Sequence, residues 1–412
     1  MNKPLMDSSM IDETHFCEFC ASDNELRLEV QDRGVRAQRC PTCKRKNVRT
    51  LSAEDRRVKK IVRALIRLNY SEWHYNEHIG GDSLYNLISK GKVVFDFDKN
   101  LDSPLPDEIW CAIEQDLGWY PESEEDITLG GGYWDGGILD AVRGSHSGFV
   151  RRLVDSALKN NHFEIESVVR DKLKTLSTYL VQVIPAGSEF FRSRVGVSSR
   201  LSPVVNEPGH PTEYKYQAYH SADIDRPPLH LATEGRFNRT RVSVLYLASD
   251  ANTAVSELRP HPGHLVSTSS FRSTCDLKVA NFASFDVRDF LSDSKLEQLR
   301  DMLSIADLLN VPVQPEHRYL YSITQLFSDA LRLEGFEGLV FKSSVGEGVN
   351  LTCFVADAFI PISGSEAVYE VSSLRYELRN MPVIGEDYDR DEYELDENSP
   401  LSTLLHSIAQ KK

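Results

Sequence analysis

Four of the seven cysteines stand in two close pairs, Cys17-Glu18-Phe19-Cys20 and Cys40-Pro41-Thr42-Cys43. The layout C-x2-C-x19-C-x2-C brings four thiolates to the spacing at which one Zn2+ gathers them into a tetrahedron. A zinc ribbon confined to residues 1–50 is too short to order itself around an apolar core, so the metal would organise it. Four sulfur ligands leave no coordination position open for water or substrate, which makes the expected zinc structural rather than catalytic. Cys111, Cys275 and Cys353 stand alone in apolar or strand-like surroundings and read as buried, reduced thiols.

The chain that must carry these knuckles is strongly basic over residues 33–67 (RGVRAQRC, CKRKNVR, RRVKKIVRALIR). The spacer between the knuckles contains LRLEV, with the two-residue alternation of a strand. Ser52 opens a helix, with Asp55 three residues on in a weak capping-box arrangement. Val58, Ile61, Val62, Leu65 and Ile66 recur at i, i+3, i+4 spacing and form one apolar stripe. Arg56, Arg57, Lys59, Lys60 and Arg63 occupy the rest of that helix, and a solvated face is the preferred reading over a nucleic-acid contact. Helices are also expected over residues 105–120 and 146–182. Their apolar stripes are Phe149, Leu153, Val154, Ala157 and Leu158, then Val168, Val169, Leu173, Leu176 and Leu180. Residues 129–138 (LGGGYWDGGI) lack the GxxxxGK[ST] pattern of a phosphate loop and read as a flexible connector. Residues 51–183 thus form a mostly helical domain, closed by VIPAG.

Beyond residue 188 short strands alternate with turns. A strand over residues 242–248 is apolar on both faces and therefore central. A short helix over 251–258 follows it. An amphipathic helix over 321–334 is closed by Gly335, and the strand GLVF then runs through KSSVGEG into LTCFVA. The fold class is α+β, with this unit spanning residues 185–375. The tail, residues 376–412, is acidic (GEDYDRDEYELDE) and reads as a solvated, disordered segment. A net charge of −15 argues against the whole molecule being a general nucleic-acid binder. No apolar stretch is long enough for a membrane span, and the N-terminus lacks a signal layout, so a cytoplasmic location is expected.

Three segments of the C-terminal unit resemble the RES family, named for its Arg, Glu and Ser. Gly235-Arg236-Phe237-Asn238 ahead of Val244-Leu245-Tyr246-Leu247-Ala248 is similar to its G-R-[aromatic]-N segment and following strand. Ala254-Val255-Ser256-Glu257 is similar to its A-x-x-E. Gly338-Leu339-Val340-Phe341-Lys342-Ser343 resembles its G-[IV]-x-[YF]-x-S strand end, and Phe190-Phe191-Arg192 the strand that opens such domains. At the last of these motifs Lys342 stands where the family often has proline, and Ser344 follows as a second serine. The resemblance implies a fold akin to ADP-ribosyltransferases and cleavage of NAD+ as a glycohydrolase or phosphorylase. It further implies a toxin held by an antitoxin with a helix-turn-helix domain. The zinc-knuckle and helical front end is similar to longer members likened to HEPN domains. Arg67 and His74 fit the loose end of the R-x4–6-H pattern of HEPN ribonucleases, a spacing that also arises by chance.

The implied chemistry assigns roles to particular residues. Cleavage of the nicotinamide–ribose bond passes through an oxocarbenium-like state that a single carboxylate, Glu257, can stabilise. Arg236 and Arg192 supply the planar donor fork that suits a diphosphate, while Arg194 and Arg239 read as surface residues. Tyr246 lines the nicotinamide side and offers its hydroxyl. Ser343, or Ser344 in its place, orients the ribose or the attacking group, beside the glycine-bearing turn. Asn350 and Gln325 are further polar candidates, more structural than reactive. Two alternatives stand beside NAD+ degradation. One is ADP-ribosyl transfer to a macromolecule, disfavoured because Val255 and Ser256 replace any second acid ahead of Glu257. The other is a zinc-ribbon adaptor for nucleic acid or a regulatory protein. Homo-oligomerisation is left open.

Overall fold

Asp23 decides the first element, because its Oδ1 accepts the Leu26 N–H at 2.8 Å and so caps a helix. In the computed structural model the LRLEV spacer, expected as a strand, is therefore part of helix α1 (Asn24–Arg33), with Leu26 and Val30 buried one turn apart. The structure describes residues 13–69, 81–83, 94–96, 107–114, 128–130, 147–159, 161–204, 213–310, 321–375, 378 and 380. They form two compact units. The described residues up to Gly148 make the first together with Phe285–Asp301; the second comprises Phe149–Ser284 and the described residues from Met302 onward.

In the first unit, strands β1 (His15–Cys17), β2 (Val35–Arg39) and β3 (Lys46–Ser52) form an antiparallel sheet in the order β1-β3-β2. Ser52 ends a strand rather than opening a helix. Helix α2 (Arg56–Asn69) starts later, capped by Asp55, whose Oδ1 accepts from Arg57 N and Val58 N at 2.8 and 3.1 Å. Its expected apolar stripe is buried throughout, but Lys59 is buried with it instead of lying on the basic face. Arg57 also leaves that face, donating to the buried carboxylate of Glu29 at 2.8 Å beside Arg33 at 2.7 Å. Helix α3 (Asp107–Glu114) falls within the helix expected over 105–120. Cys111 is exposed there, not buried, because Ile109, Ala112 and Ile113 turn the opposite side of the helix inward. A small ladder pairs β4 (Gly81–Ser83) with β5 (Thr128–Gly130), so the glycine-rich stretch begins as a strand. Residues 131–138, His74, the Arg67 side chain and the acidic tail lie outside the described residues.

The second unit opens with helices α4 (Gly148–Lys159) and α5 (His162–Leu180). Along α5 the buried stripe is Ile165, Val169, Leu173, Leu176 and Leu180, with Val168 turned to solvent. Strand β6 (Val181–Ile184) follows without a break and pairs with a strand nearly a hundred residues away, so VIPAG begins inside the sheet. The remaining strands are β7 (Glu189–Val195), β8 (Ser199–Leu201), β9 (Lys215–Gln217), β10 (Leu245–Ala248), β11 (Leu265–Ser273) and β12 (Leu277–Asn281). They continue as β13 (Gly338–Lys342), β14 (Val349–Cys353), β15 (Phe359–Pro361) and β16 (Ala367–Glu370). Helix α6 (Ala251–Ser256) follows β10, and α7 (Asp293–Asn310) and α8 (Tyr321–Leu333) precede β13.

Nine strands share one sheet in the order β15-β11-β7-β10-β14-β13-β12-β6, with β16 also pairing β11. Only the β12–β13 neighbours run parallel. Strand β10 is central, as its uniform apolarity requires, with Leu245, Leu247 and Ala248 buried. One face carries a core that includes Leu245, Leu247, Phe271, Val340 and Leu351. On the other face α8 packs against α5 and β13, and Phe237 stacks at 4.7 Å from Phe341. Gly335 ends α8 with a φ of 77°, the left-handed conformation expected of a C-terminal glycine. Cys353 is buried, and burial pushes its thiol up to about 11. Cys275, in the turn before β12, is exposed rather than buried. No helix of the described residues is long and apolar enough to cross a membrane.

Candidate active site and metal centre

A row of side chains crosses the sheet at a single level. Register places Phe191 opposite Ala248, Ala248 opposite Asn350, and Asn350 opposite Phe341. Paired residues in adjacent strands point to one face, so these four form the floor of a cavity of about 300 Å3. Arg236, Phe237, Tyr246, Ala254, Glu257 and Leu258 also line it.

Glu257 reaches the floor from the end of α6. Asp250 caps that helix by accepting from Thr253 N at 2.8 Å and from Thr253 Oγ1 at 2.7 Å. Burial acts to raise the Asp250 carboxyl, but the Thr253 and Ser249 hydrogen bonds outweigh it and hold the group below the usual range. Glu257 then forms the C-terminal cap. Its Oε1 accepts from Asn350 Nδ2 at 2.6 Å and from Ser343 Oγ at 2.7 Å. The Ser343 hydroxyl oxygen in turn accepts from Val345 N and Gly346 N at 3.2 and 2.9 Å. Its proton is therefore committed to Glu257, and Ser343 orients the carboxylate rather than acting as a nucleophile. Of the two serines, Ser343 makes this contact. The loop seats on the start of α6 because Gly348 brings its N–H to Thr253 Oγ1 at 3.1 Å. A Cβ at Gly348 would displace the Asp250 and Ser249 side chains that hold this loop on α6.

Arg236 is presented by a loop whose backbone is held at nearly every polar group. Gly235 N donates to Asn238 O at 2.9 Å. Gln325 Nε2 donates to Gly235 O at 2.9 Å, Thr324 Oγ1 to Arg236 O, and Ser328 Oγ to Phe237 O at 2.7 Å. Tyr246 Oη accepts from Phe237 N at 3.1 Å and donates to Asn238 Oδ1 at 2.8 Å. Burial pushes the Tyr246 phenol up to about 12, so it remains a neutral donor. A Cβ at Gly235 would push against Asn238 Oδ1 at 2.6 Å and disturb its bond to Tyr246. With its backbone fixed, Arg236 donates to Leu309 O at 2.9 Å at the end of α7 and stands over the Tyr321 ring. Its fork is aimed and only partly spent on Leu309.

Two of the expected roles change. The Tyr246 hydroxyl, expected to reach substrate, is used to close the Gly235–Asn238 turn, while the ring still lines the cavity. Arg192, next to Phe191 on β7, also lines the cavity. It donates to Ile224 O at 2.6 Å and Tyr246 O at 3.0 Å, and burial lowers its guanidinium to about 10. Part of its donor fork is thus already spent on backbone carbonyls. Arg239, read as a surface residue, is paired with Asp329 at 2.7 Å, and Arg194 stacks on Tyr219. The sequence reading missed Thr324 and Ser328. Their signal was present: Tyr321, Thr324, Gln325 and Ser328 make a polar i, i+3, i+4, i+7 row inside an otherwise apolar helix.

Removing the Tyr246 hydroxyl strands two buried partners. The Tyr246→Phe variant is expected to lose about 1–3 kcal/mol of stability, read from denaturant midpoints.

The four knuckle cysteines also converge, with sulfurs at 3.5 Å (Cys17–Cys43), 3.7 Å (Cys17–Cys20) and 3.9 Å (Cys20–Cys40). All four ligand atoms lie within 4.8 Å of one another. Tetrahedral Zn–S bonds of about 2.3 Å imply sulfur separations of about 3.8 Å, so the set fits zinc. Purified protein is expected to hold one zinc per chain by atomic emission. Chelation should unfold the ribbon in far-UV circular dichroism, since structural zinc contributes about 10–16 kcal/mol of apparent binding energy.

Residues 210–372 match the family model of the RES domain. The chain carries a RES domain. Its match includes the Arg236 loop, Tyr246, Glu257, Ser343 and Asn350, whereas β6 and β7 lie ahead of it. No curated protein matches the chain. Among solved structures, a chain of the M. tuberculosis MbcT–MbcA toxin–antitoxin complex is similar at 10% identity. That match covers 48% of this chain and 92% of the other with a TM-score of 0.27, a likeness too distant to bear on fold or function.

Proposed function

We propose that the RES domain cleaves the nicotinamide–ribose bond of NAD+, by hydrolysis or by phosphorolysis. The observation that carries this reading is the pairing of one fixed carboxylate with one aimed guanidinium across a single cavity. Among the described residues, Glu257 is the one carboxylate in the lining. Nicotinamide leaves NAD+ as a neutral molecule from a cationic ring, taking the C–N electron pair, so no acid is needed to protonate it. What the reaction needs is negative charge beside the ribose anomeric carbon as that carbon becomes cationic. Glu257, its Oε1 held by Ser343 and Asn350, supplies that charge. Arg236 binds the diphosphate, and the Phe191, Phe237, Tyr246 and Phe341 rings provide flat walls for nicotinamide. A new C–O bond to water, or to inorganic phosphate, completes the step, with the water proton released to solvent.

On this reading the substrate is cytoplasmic and the protein is a toxin or defence effector that depletes cellular NAD+. Such activity requires restraint by an inhibitor, for which an antitoxin with a helix-turn-helix domain is the partner the family resemblance implies. The resemblance to the ADP-ribosyltransferase fold belongs to the same proposal.

The test is nicotinamide release by the purified full chain incubated with NAD+, with and without phosphate. Release that depends on phosphate assigns a phosphorylase, and release without it a glycohydrolase. No release under either condition would overturn the proposal, and labelled ADP-ribose appearing on protein or nucleic acid would replace it with transfer.

A further inference from the structure

Several cations of the first unit are matched with acids. Arg33 and Arg57 are matched with carboxylates of Glu29 and Asp55. Arg288 is matched with Asp286 at 2.7 Å and Asp32 at 3.0 Å. The β2–β3 hairpin that carries the second knuckle is different. Arg36, Arg39, Lys44, Arg45 and Lys46 are exposed on it, and among the described residues none is paired with a carboxylate, although Arg39 and Lys44 donate to the Lys44 and Pro41 carbonyls. Arg49 donates to the Gln31 carbonyl, not to an acid.

The strand register makes this arrangement unfavourable for the isolated fold. Arg36 stands directly opposite Arg49, and Arg39 directly opposite Lys46. Like charges facing each other across an antiparallel ladder repel and weaken it. Beside it the first knuckle raises Phe19 into solvent at 51% exposure, with the Arg45 guanidinium 4.8 Å from its ring centroid. An exposed aromatic ring with a stacked guanidinium, flanked by unmatched cations, is the combination that takes an unpaired base and the phosphates beside it.

We infer that this hairpin face of the four-cysteine ribbon binds single-stranded nucleic acid. Phosphates lie along Arg36, Arg39, Lys44 and Lys46, and a base stacks on Phe19 and Arg45. Helix α2 offers less than its composition suggests, since Lys59 is buried and Arg57 is held by Glu29, leaving Arg56 and Lys60 exposed on it. Charge complementarity fixes a polyanion as the occupant, and Phe19 fixes it as single-stranded.

The test uses the full zinc-loaded chain and fluorescein-labelled 20-nucleotide oligo(dT) and oligo(U), followed by fluorescence anisotropy between 50 and 200 mM salt. Affinity is expected to fall with salt at a log–log slope of roughly −0.7 per phosphate neutralised, near −3 for four contacts. The R36E/R39E/K46E variant should lose most of that slope. Phe19→Ala, at an exposed position that leaves the fold alone, should weaken binding about 10-fold. Zinc content measured on each preparation shows that the ribbon is intact. Nicotinamide release is expected to be unchanged in both variants, so this inference and the proposed function stand or fall separately. Binding that survives the charge reversal would overturn the inference. So would equal binding of a duplex of the same length with no effect of Phe19→Ala, or no binding at 50 mM salt.

Discussion

Glu257→Gln is expected to reduce nicotinamide release from NAD+ by roughly 10³-fold while leaving the unfolding temperature unchanged. The amide is isosteric, and its oxygen still accepts from Ser343 Oγ and Asn350 Nδ2, the two donors that hold Glu257 Oε1 at 2.7 and 2.6 Å. The fold of the 343–348 loop and of α6 is therefore preserved, and what disappears is the negative charge. A carboxylate acts on a developing oxocarbenium ion through that charge, so the loss should appear in kcat with KM for NAD+ nearly constant. Steady-state release of nicotinamide measured beside thermal unfolding separates the two effects. Full activity in a well-folded Glu257→Gln variant would exclude Glu257 as the stabilising group. Ser343→Ala is a useful companion, since it frees one side of the carboxylate but retains its charge, and a smaller loss is expected.

Arg236→Lys is expected to weaken NAD+ binding by about 10- to 100-fold, the worth of one charge-assisted hydrogen bond to an anion. Lysine keeps the positive charge but replaces a planar fork with a point donor, and a diphosphate is matched by the fork. The loop backbone is held by Gln325, Thr324, Ser328 and Tyr246 and does not depend on the Arg236 side chain, apart from its bond to Leu309 O. The effect should therefore fall on KM rather than on stability. Arg192, the other arginine among the described lining residues, already donates to the Ile224 and Tyr246 carbonyls. An Arg236→Lys variant with wild-type KM would remove Arg236 from the diphosphate.

Much of this site was legible because its pieces are local. The motif around Arg236, the strand bearing Tyr246 and the short helix ending in Glu257 follow one another within 23 residues. The helix was read over 251–258, and the structure shows Asp250 capping it. The cysteine knuckles are legible for the same reason, since two C-x2-C turns carry their ligand geometry with them. The misreadings share a different cause. LRLEV has the alternation of a strand, and only the cap made by Asp23 turns it into a helix. VIPAG reads as punctuation until β12 supplies the partner that makes its first residues an edge strand.

Residue types and short spacings determined which groups were available: four thiolates in two turns, a guanidinium, a phenol, a carboxylate and two serines in order along the chain. Backbone propensity and capping act over one or two turns of chain, and those features lie inside that range. Which groups meet was decided by the nine-stranded sheet, whose register sets Asn350 beside Ala248 and Phe341 and so beneath Glu257. It was decided equally by α8, which holds the Arg236 loop from about ninety residues away. Such contacts depend on packing between distant segments, and the alternating faces of a strand make their outcome change completely with a shift of one residue.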